Sequence, residues 1–126
     1  MKYTDEDVTS ALNNILASEI FLTSPRAQDF LKYIVTEALA GREKLLNGTT
    51  IAQDVFQKGS DFDSGLDSIV RVHARRVRSM LRDYYIENPV REPVVLTIPK
   101  GGYRVAVAPN AAYGKEVSES ENGAGP

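Results

Sequence analysis

Apolar residues recur at helical spacing through the first half of the chain. The first helix is predicted to begin at Thr4 or Asp5, whose side chains accept hydrogen bonds from free first-turn amides, and to end near Ser18. A second helix is predicted from Ser24-Pro25, an N-cap followed by proline at the first helical position, to Gly41. The buried faces of these two helices are predicted to comprise Val8, Leu12, Ile15 and Leu16, and then Phe30, Leu31, Ile34, Val35, Ala38 and Leu39.

Two further helices are predicted before residue 86. A short one runs from about Thr50 to Gln57, capped by Thr49 or Thr50, and residues 58–65 have the composition of a loop. A long one runs from about Leu66 to Tyr85. Its predicted buried stripe consists of Leu66, Val70, Ala74, Val77, Leu81 and Tyr84.

The pattern changes to that of a β-hairpin after Asn88-Pro89. Residues 94–98 and 103–107 are predicted strands, and Pro99 to Gly102 supply the turn between them. Residues 110–126 contain few large apolar side chains, so we predict a flexible tail there. The predicted fold is therefore one mainly α domain, residues 1–109, with a small C-terminal β-hairpin.

Composition removes several classes of function. The chain has no cysteine and one histidine, which excludes disulfide frameworks and cysteine-based metal sites. Asp61, Asp63 and Asp67 alternate as in a calcium loop, but Val72 stands where such a loop needs glutamate. With no membrane-length apolar run and a polar N-terminus, we expect a cytoplasmic protein. We also expect that it is not an enzyme and that it needs no cofactor, metal or small-molecule ligand.

The net charge of −2 is unevenly distributed along the chain. Residues 67–108 carry 8 basic against 4 acidic side chains, whereas residues 1–66 carry 6 against 10. Four arginines in the last predicted helix follow one another at steps of 4, 3 and 4 residues, which places them on one face: Arg71, Arg75, Arg78 and Arg82. Guanidinium groups match phosphate oxygens and the guanine edge, so this pattern favours nucleic-acid binding over a plain solvated helix.

The hairpin directly follows this helix and adds two cations, Lys100 and Arg104. A helix that enters a major groove beside a two-stranded hairpin is a known arrangement for DNA recognition, with the hairpin on the backbone or in the minor groove. A second interpretation stays open, in which the arginine face binds an acidic protein partner.

Two motifs resemble the OmpR/PhoB-type winged-helix regulators. The stretch from Val70 to Leu81 (VRVHARRVRSML) is similar to that family's recognition helix, Val-x-Val-His-Ile-x-Arg-Leu-Arg-x-x-Leu. The stretch from Thr97 to Val105 (TIPKGGYRV) is similar to its wing, Thr-Val-Arg-Gly-x-Gly-Tyr-Arg-Phe. Segments between Ser24 and Val72 also look like a bacterial helical-plus-winged-helix domain found at the N-terminus of larger cyclase-like or repeat-containing proteins.

The resemblance implies a winged helix-turn-helix fold and a bacterial transcriptional regulator that binds specific sequences of double-stranded DNA. It implies a recognition helix at 66–85, a wing at 94–107, and DNA-facing positions at His73, Arg75, Arg76, Arg78 and Tyr103. Pro99 replaces the family's wing arginine, and two helices replace its N-terminal sheet. We also expect a homodimer formed through the N-terminal helices, with Ile15, Ile20 and Phe21 as candidate contacts.

Overall fold

A computed structural model describes residues 3–56 and 65–114 of the chain, with side chains described from residue 68 onward in the second range. This part of the chain is mainly helical and ends in a small two-stranded antiparallel hairpin, which confirms the predicted mainly α fold with a C-terminal β-hairpin. The elements in chain order are α1 (Asp5–Leu16), α2 (Glu19–Leu22), α3 (Pro25–Leu39), a 3-10 turn (Glu43–Leu45), α4 (Gly48–Ile51) running into a π-helical turn (Ala52–Phe56), α5 (Gly65–Glu87), β1 (Val94–Thr97) and β2 (Ala106–Pro109). Three predictions lie outside the described residues: Gln57 as a helix end, the loop over 58–64, and the tail over 115–126.

The caps of α1 and α3 are the ones that the sequence predicts. The Thr4 hydroxyl accepts from the Asp7 amide at 3.1 Å, while the Asp7 carboxylate accepts from the Thr4 amide at 3.0 Å. The Ser24 hydroxyl accepts from the Ala27 amide at 3.2 Å, with Pro25 at the first helical position of α3. Gly41, just after α3, has a φ of 80°, a conformation that favours glycine.

One local prediction is wrong. The cap of α4 is Asn47 rather than Thr49 or Thr50, and Thr50 instead completes a reciprocal capping box with Asn47. The first helix ends at Leu16, close to the predicted end near Ser18, but the sequence did not predict the separate short helix α2, which Ser18 caps. A four-residue helix is too short for a periodic pattern to reveal.

The core is built around the buried side of α5, which packs against α3, α4 and β1. All of its predicted inward residues from Val70 onward are buried, and the Leu66 side chain lies outside the described part. The predicted face of α3 is confirmed through Val35, whereas Leu39, the last residue of the helix, is 36% exposed. Ile15 and Phe21 are fully buried in this same core, so they are unavailable for the predicted dimer contact.

The hairpin is shorter, and its loop longer, than predicted. Val94 pairs with Pro109 and Thr97 with Ala106, so β2 begins at Ala106 and not at Tyr103. The eight residues 98–105, hereafter the hairpin loop, connect the strands. The Tyr103 ring packs edge-on against Phe30 with centroids 6.4 Å apart, which draws this part of the loop onto the core and away from strand pairing.

Side chains of α1 and α5 hold the segment that leads into β1. Tyr85 donates its hydroxyl to the Val94 carbonyl at 3.1 Å and accepts from the Leu96 amide at 3.0 Å. The carboxylate of Glu92, 1% exposed, accepts from the Tyr84 hydroxyl and from the Asn14 amide at 3.2 Å. Burial and the hydrogen bond to Glu92 raise the pKa of Tyr84, so its hydroxyl keeps the proton that it donates.

The first residues of the predicted tail are bonded to the segment before β1. Asn110 donates its side-chain amide to the carbonyls of Pro89 at 3.1 Å and Glu92 at 2.9 Å, and its backbone amide to Pro93 at 2.9 Å. The Gly114 amide then donates to the Val90 carbonyl at 3.1 Å. These bonds hold residues 110–114 against the domain. None of the helices described combines the length and apolarity needed to cross a membrane.

Candidate nucleic-acid interface

Burial of one side of α5 turns its arginines toward solvent. Arg71, Arg75, Arg76 and Arg82 are exposed, as the helical periodicity predicts. The terminal Nη2 atoms of Arg71 and Arg82 each donate to a serine hydroxyl one turn earlier, Ser68 and Ser79, at 3.2 Å. These i, i+3 bonds hold the two guanidinium groups along the helix surface.

Arg78 has a different role from its neighbours. Its Nε donates to the carbonyl of Ile98 at 2.7 Å, and its Nη2 donates to those of Gly102 at 3.0 Å and Pro99 at 3.4 Å. The side chain thereby bonds α5 to both ends of the tip of the hairpin loop, residues 99–102. Backbone carbonyls take up its Nε and Nη2 donors. Its contact with DNA stays a prediction. Among the four arginines of the stripe, Arg78 lies closest to the buried side of the helix, which is the sequence signal for this role.

The tip of the hairpin loop presents positive charge opposite α5. Lys100 and Arg104 are exposed, and Gly101 next to Lys100 has a φ of 96°. A Cβ atom at Gly101 or Gly102 would meet no atom within 4 Å, so backbone conformation, and not crowding, favours glycine at Gly101. The tip is thus narrow, open and cationic.

Between α5 and the tip lies an open groove of about 520 Å³. One wall is α5 and the other is the hairpin loop, and the residues that line the groove include Arg71, Arg75, Arg78, Arg82, Lys100 and Tyr103. Positive charge therefore stands on both walls. This geometry suits an extended anion that passes between helix and loop.

Three cations at this groove form no ion pair with a described acidic side chain. Among the described side chains, those of residues 3–56 and 68–114, the one ion pair joins Arg42 and Glu37 at 2.8 Å, on another part of the surface. Neither Arg75, Arg82 nor Lys100 takes part in an ion pair in that part of the chain. Their mutual repulsion is left for solvent, salt or an external anion to offset.

Two predicted contact residues are partly built into the core. Tyr103 is half-buried against Phe30, although its edge still reaches the groove. His73 is half-buried against Phe56, with ring centroids 4.9 Å apart, and its Nδ1 is buried without a hydrogen-bond partner. Burial, together with the charges of Arg26 and Arg76, lowers the pKa of His73. The imidazole is therefore neutral at pH 7 and supplies no charge for a phosphate.

An apolar residue also lies on the exposed side of α5, as the helical period predicts. Val72, which stands between Arg71 and Arg75 in the sequence, is 54% exposed. Its position opposite the buried stripe is readable from the helical period.

No protein-family model, no curated protein and no solved structure matches this chain.

Proposed function

We propose that this protein is a winged-helix transcriptional regulator that binds specific sequences of double-stranded DNA. The observation that carries the proposal is the groove between α5 and the hairpin loop, with Arg75 and Arg82 on one wall and Lys100 on the other. None of these three forms an ion pair with a described acidic side chain. In this proposal α5 is the recognition helix in the major groove and residues 94–107 form the wing. A sugar–phosphate strand passes between them.

The exposed residues of α5 divide by position into two groups. Arg75 points most directly away from the core, so it is our candidate for a bidentate contact to a guanine edge. Arg71 and Arg82 are 11 residues apart, about 16 Å along the helix axis. Both arginines line the same groove as Lys100, so we assign them to phosphates of the strand that passes through it, while Arg75 reads a base.

The groove supports a nucleic-acid partner better than an acidic protein. Helix residues and the glycine-rich tip make a narrow channel with cations in two rows, which matches a continuous line of phosphates. A protein interface of normal affinity needs a buried apolar centre of its own. The groove lining contains two side chains that could form such an apolar centre, Ala74 and Tyr103.

Fluorescence anisotropy with labelled duplexes of about 30 bp, drawn first from a random pool and then from a selected site, tests the proposal. We expect log affinity to fall steeply with log salt. Arg75→Ala should cost about 1–3 kcal/mol on the selected site and relax its sequence preference. Lys32→Ala, which removes an exposed cation from α3, is the matched control. Polyglutamate that competes more strongly than duplex DNA, at equal charge and salt, would overturn the proposal in favour of an acidic protein partner.

A further inference from the structure

A second set of cations lies on the side of α5 that faces away from the groove. Arg76 is exposed there, two residues and therefore about 160° around the helix from Arg78. Arg26, from the start of α3, is exposed as well. The Arg26 Cζ lies 5.3 Å from the centroid of Phe56, and the His73 ring of α5 packs against the same ring with centroids 4.9 Å apart. The Phe56 ring thus brings an arginine of α3 to the flank of α5.

Both guanidinium groups act on the same imidazole. After burial, the charges of Arg26 and Arg76 are the causes that lower the pKa of His73. No acidic side chain of the described part forms an ion pair with either arginine. Asp29, one turn further along α3, borders a separate depression with Tyr33 and Asp54. The two arginines therefore form a local positive patch.

Helix stability does not explain the position of Arg26. It lies in the first turn of α3, a turn that contains no acidic residue. The positive end of a helix dipole favours acidic residues and disfavours a cation at such a position. The contact with Phe56 involves the guanidinium group and leaves its charge exposed to solvent. An external anion bound there would pair with that charge.

We propose that Arg26 and Arg76 bind a phosphate of the DNA strand on the far side of α5. This inference rests on the proposed function. A helix within a major groove lies between two sugar–phosphate strands about 12 Å apart. The groove that contains Lys100 takes one strand, and the pair formed by Arg26 and Arg76 takes the other. The domain then holds the duplex from both sides of its recognition helix.

The first test compares three single variants in duplex-binding titrations over about 50 to 300 mM salt. Arg26→Gln should weaken binding about 3- to 10-fold, equally on all sequences, and reduce the salt slope by about 1. Arg26→Lys should keep most of the affinity, which separates charge from stacking. Lys32→Gln removes the same charge from another face of α3 and should change neither quantity. Thermal unfolding of each variant checks that the fold is intact.

The second test uses His73 as a reporter, since it is the one histidine of the chain. A phosphate at Arg26 and Arg76 offsets their charge, so duplex DNA should raise the pKa of His73 in an NMR titration. Arg26→Gln should raise it in the free protein. If Arg75→Ala weakens binding while Arg26→Gln behaves as Lys32→Gln does, this inference is wrong and the proposed function stands. If the wild type binds no duplex, the proposed function itself fails.

Discussion

Removal of the Arg78 side chain should loosen the hairpin loop without unfolding the domain. The guanidinium makes one short bond to Ile98 and one ordinary bond to Gly102, and its contact to Pro99 is long. A hydrogen bond with a charged partner contributes about 1.5–3 kcal/mol when it is buried and less when water competes. We therefore expect Arg78→Ala to lower the free energy of unfolding by about 2 kcal/mol. Arg78→Lys should recover less than half of this, because a single ammonium cannot match the planar fork.

The loop should respond more than the rest of the molecule. Nitrogen-15 relaxation of Gly101 and Gly102 reports the order of the tip, and we expect order parameters to fall from about 0.8 to below about 0.6 in Arg78→Ala. Urea unfolding followed by circular dichroism measures the stability change. DNA affinity should fall, and the slope of log affinity against log salt should change by more than the loss of one charge–phosphate contact explains, because Lys100 is no longer held opposite α5. Unchanged relaxation at the tip together with a slope change of one charge would refute this reasoning and return Arg78 to direct phosphate contact.

Three further predictions follow from separate parts of the structure. Lys100→Ala should weaken binding equally on all sequences and reduce the salt slope by about 1, whereas a loss confined to A·T-rich sites would indicate minor-groove insertion. Asn110→Ala should lower the free energy of unfolding by about 1–2 kcal/mol, because three side-chain hydrogen bonds are lost. Truncation after Pro109 should lower the free energy of unfolding in urea by at least as much, while truncation after Gly114 should leave it almost unchanged. Equal free energies of unfolding for the two truncated chains would show that the turn at Asn110 does not stabilise the domain. Since the pKa of folded His73 is lowered, the unfolded chain binds more protons below about pH 6.5, so stability should fall as pH falls toward 5. His73→Gln should abolish that slope in urea titrations, and an unchanged slope would assign it to another group.

The sequence predicts best what a local pattern determines. The buried side of α5, from Val70 to Tyr84, follows directly from the helical period, and so does the outward direction of Arg75 and Arg82. The caps Thr4 and Ser24 are recognisable because each side chain bonds an amide three residues away. Such interactions depend on a few neighbouring residues, all visible in the chain.

Contacts between distant segments account for what sequence reasoning missed. The start of β2 moved to Ala106 because Tyr103 packs on Phe30, which lies 73 residues earlier in the chain. The bonds from Asn110 to carbonyls near residue 90 were missed as well, because its own surroundings are small and polar. The helical period places Arg78 closer to the buried side of α5 than Arg75, but the carbonyl that its Nε bonds lies 20 residues later in the chain, so the bond itself is not visible in the sequence.

The bonds that Tyr85 makes to β1 and Arg78 makes to the hairpin loop have a consequence for how copies of this protein meet. A two-stranded sheet has two open edges, and an open edge invites a strand from another molecule. The outer edge of β1 is covered by the Tyr85 hydroxyl at Val94 and Leu96, and just past the strand Arg78 bonds the carbonyl of Ile98. On the outer edge of β2, Pro109 has no amide hydrogen to offer, and the Tyr3 hydroxyl reaches the Val107 carbonyl at 3.5 Å. Neither edge offers an uninterrupted row of backbone donors and acceptors, so the hairpin resists sheet-by-sheet aggregation even when the protein is concentrated.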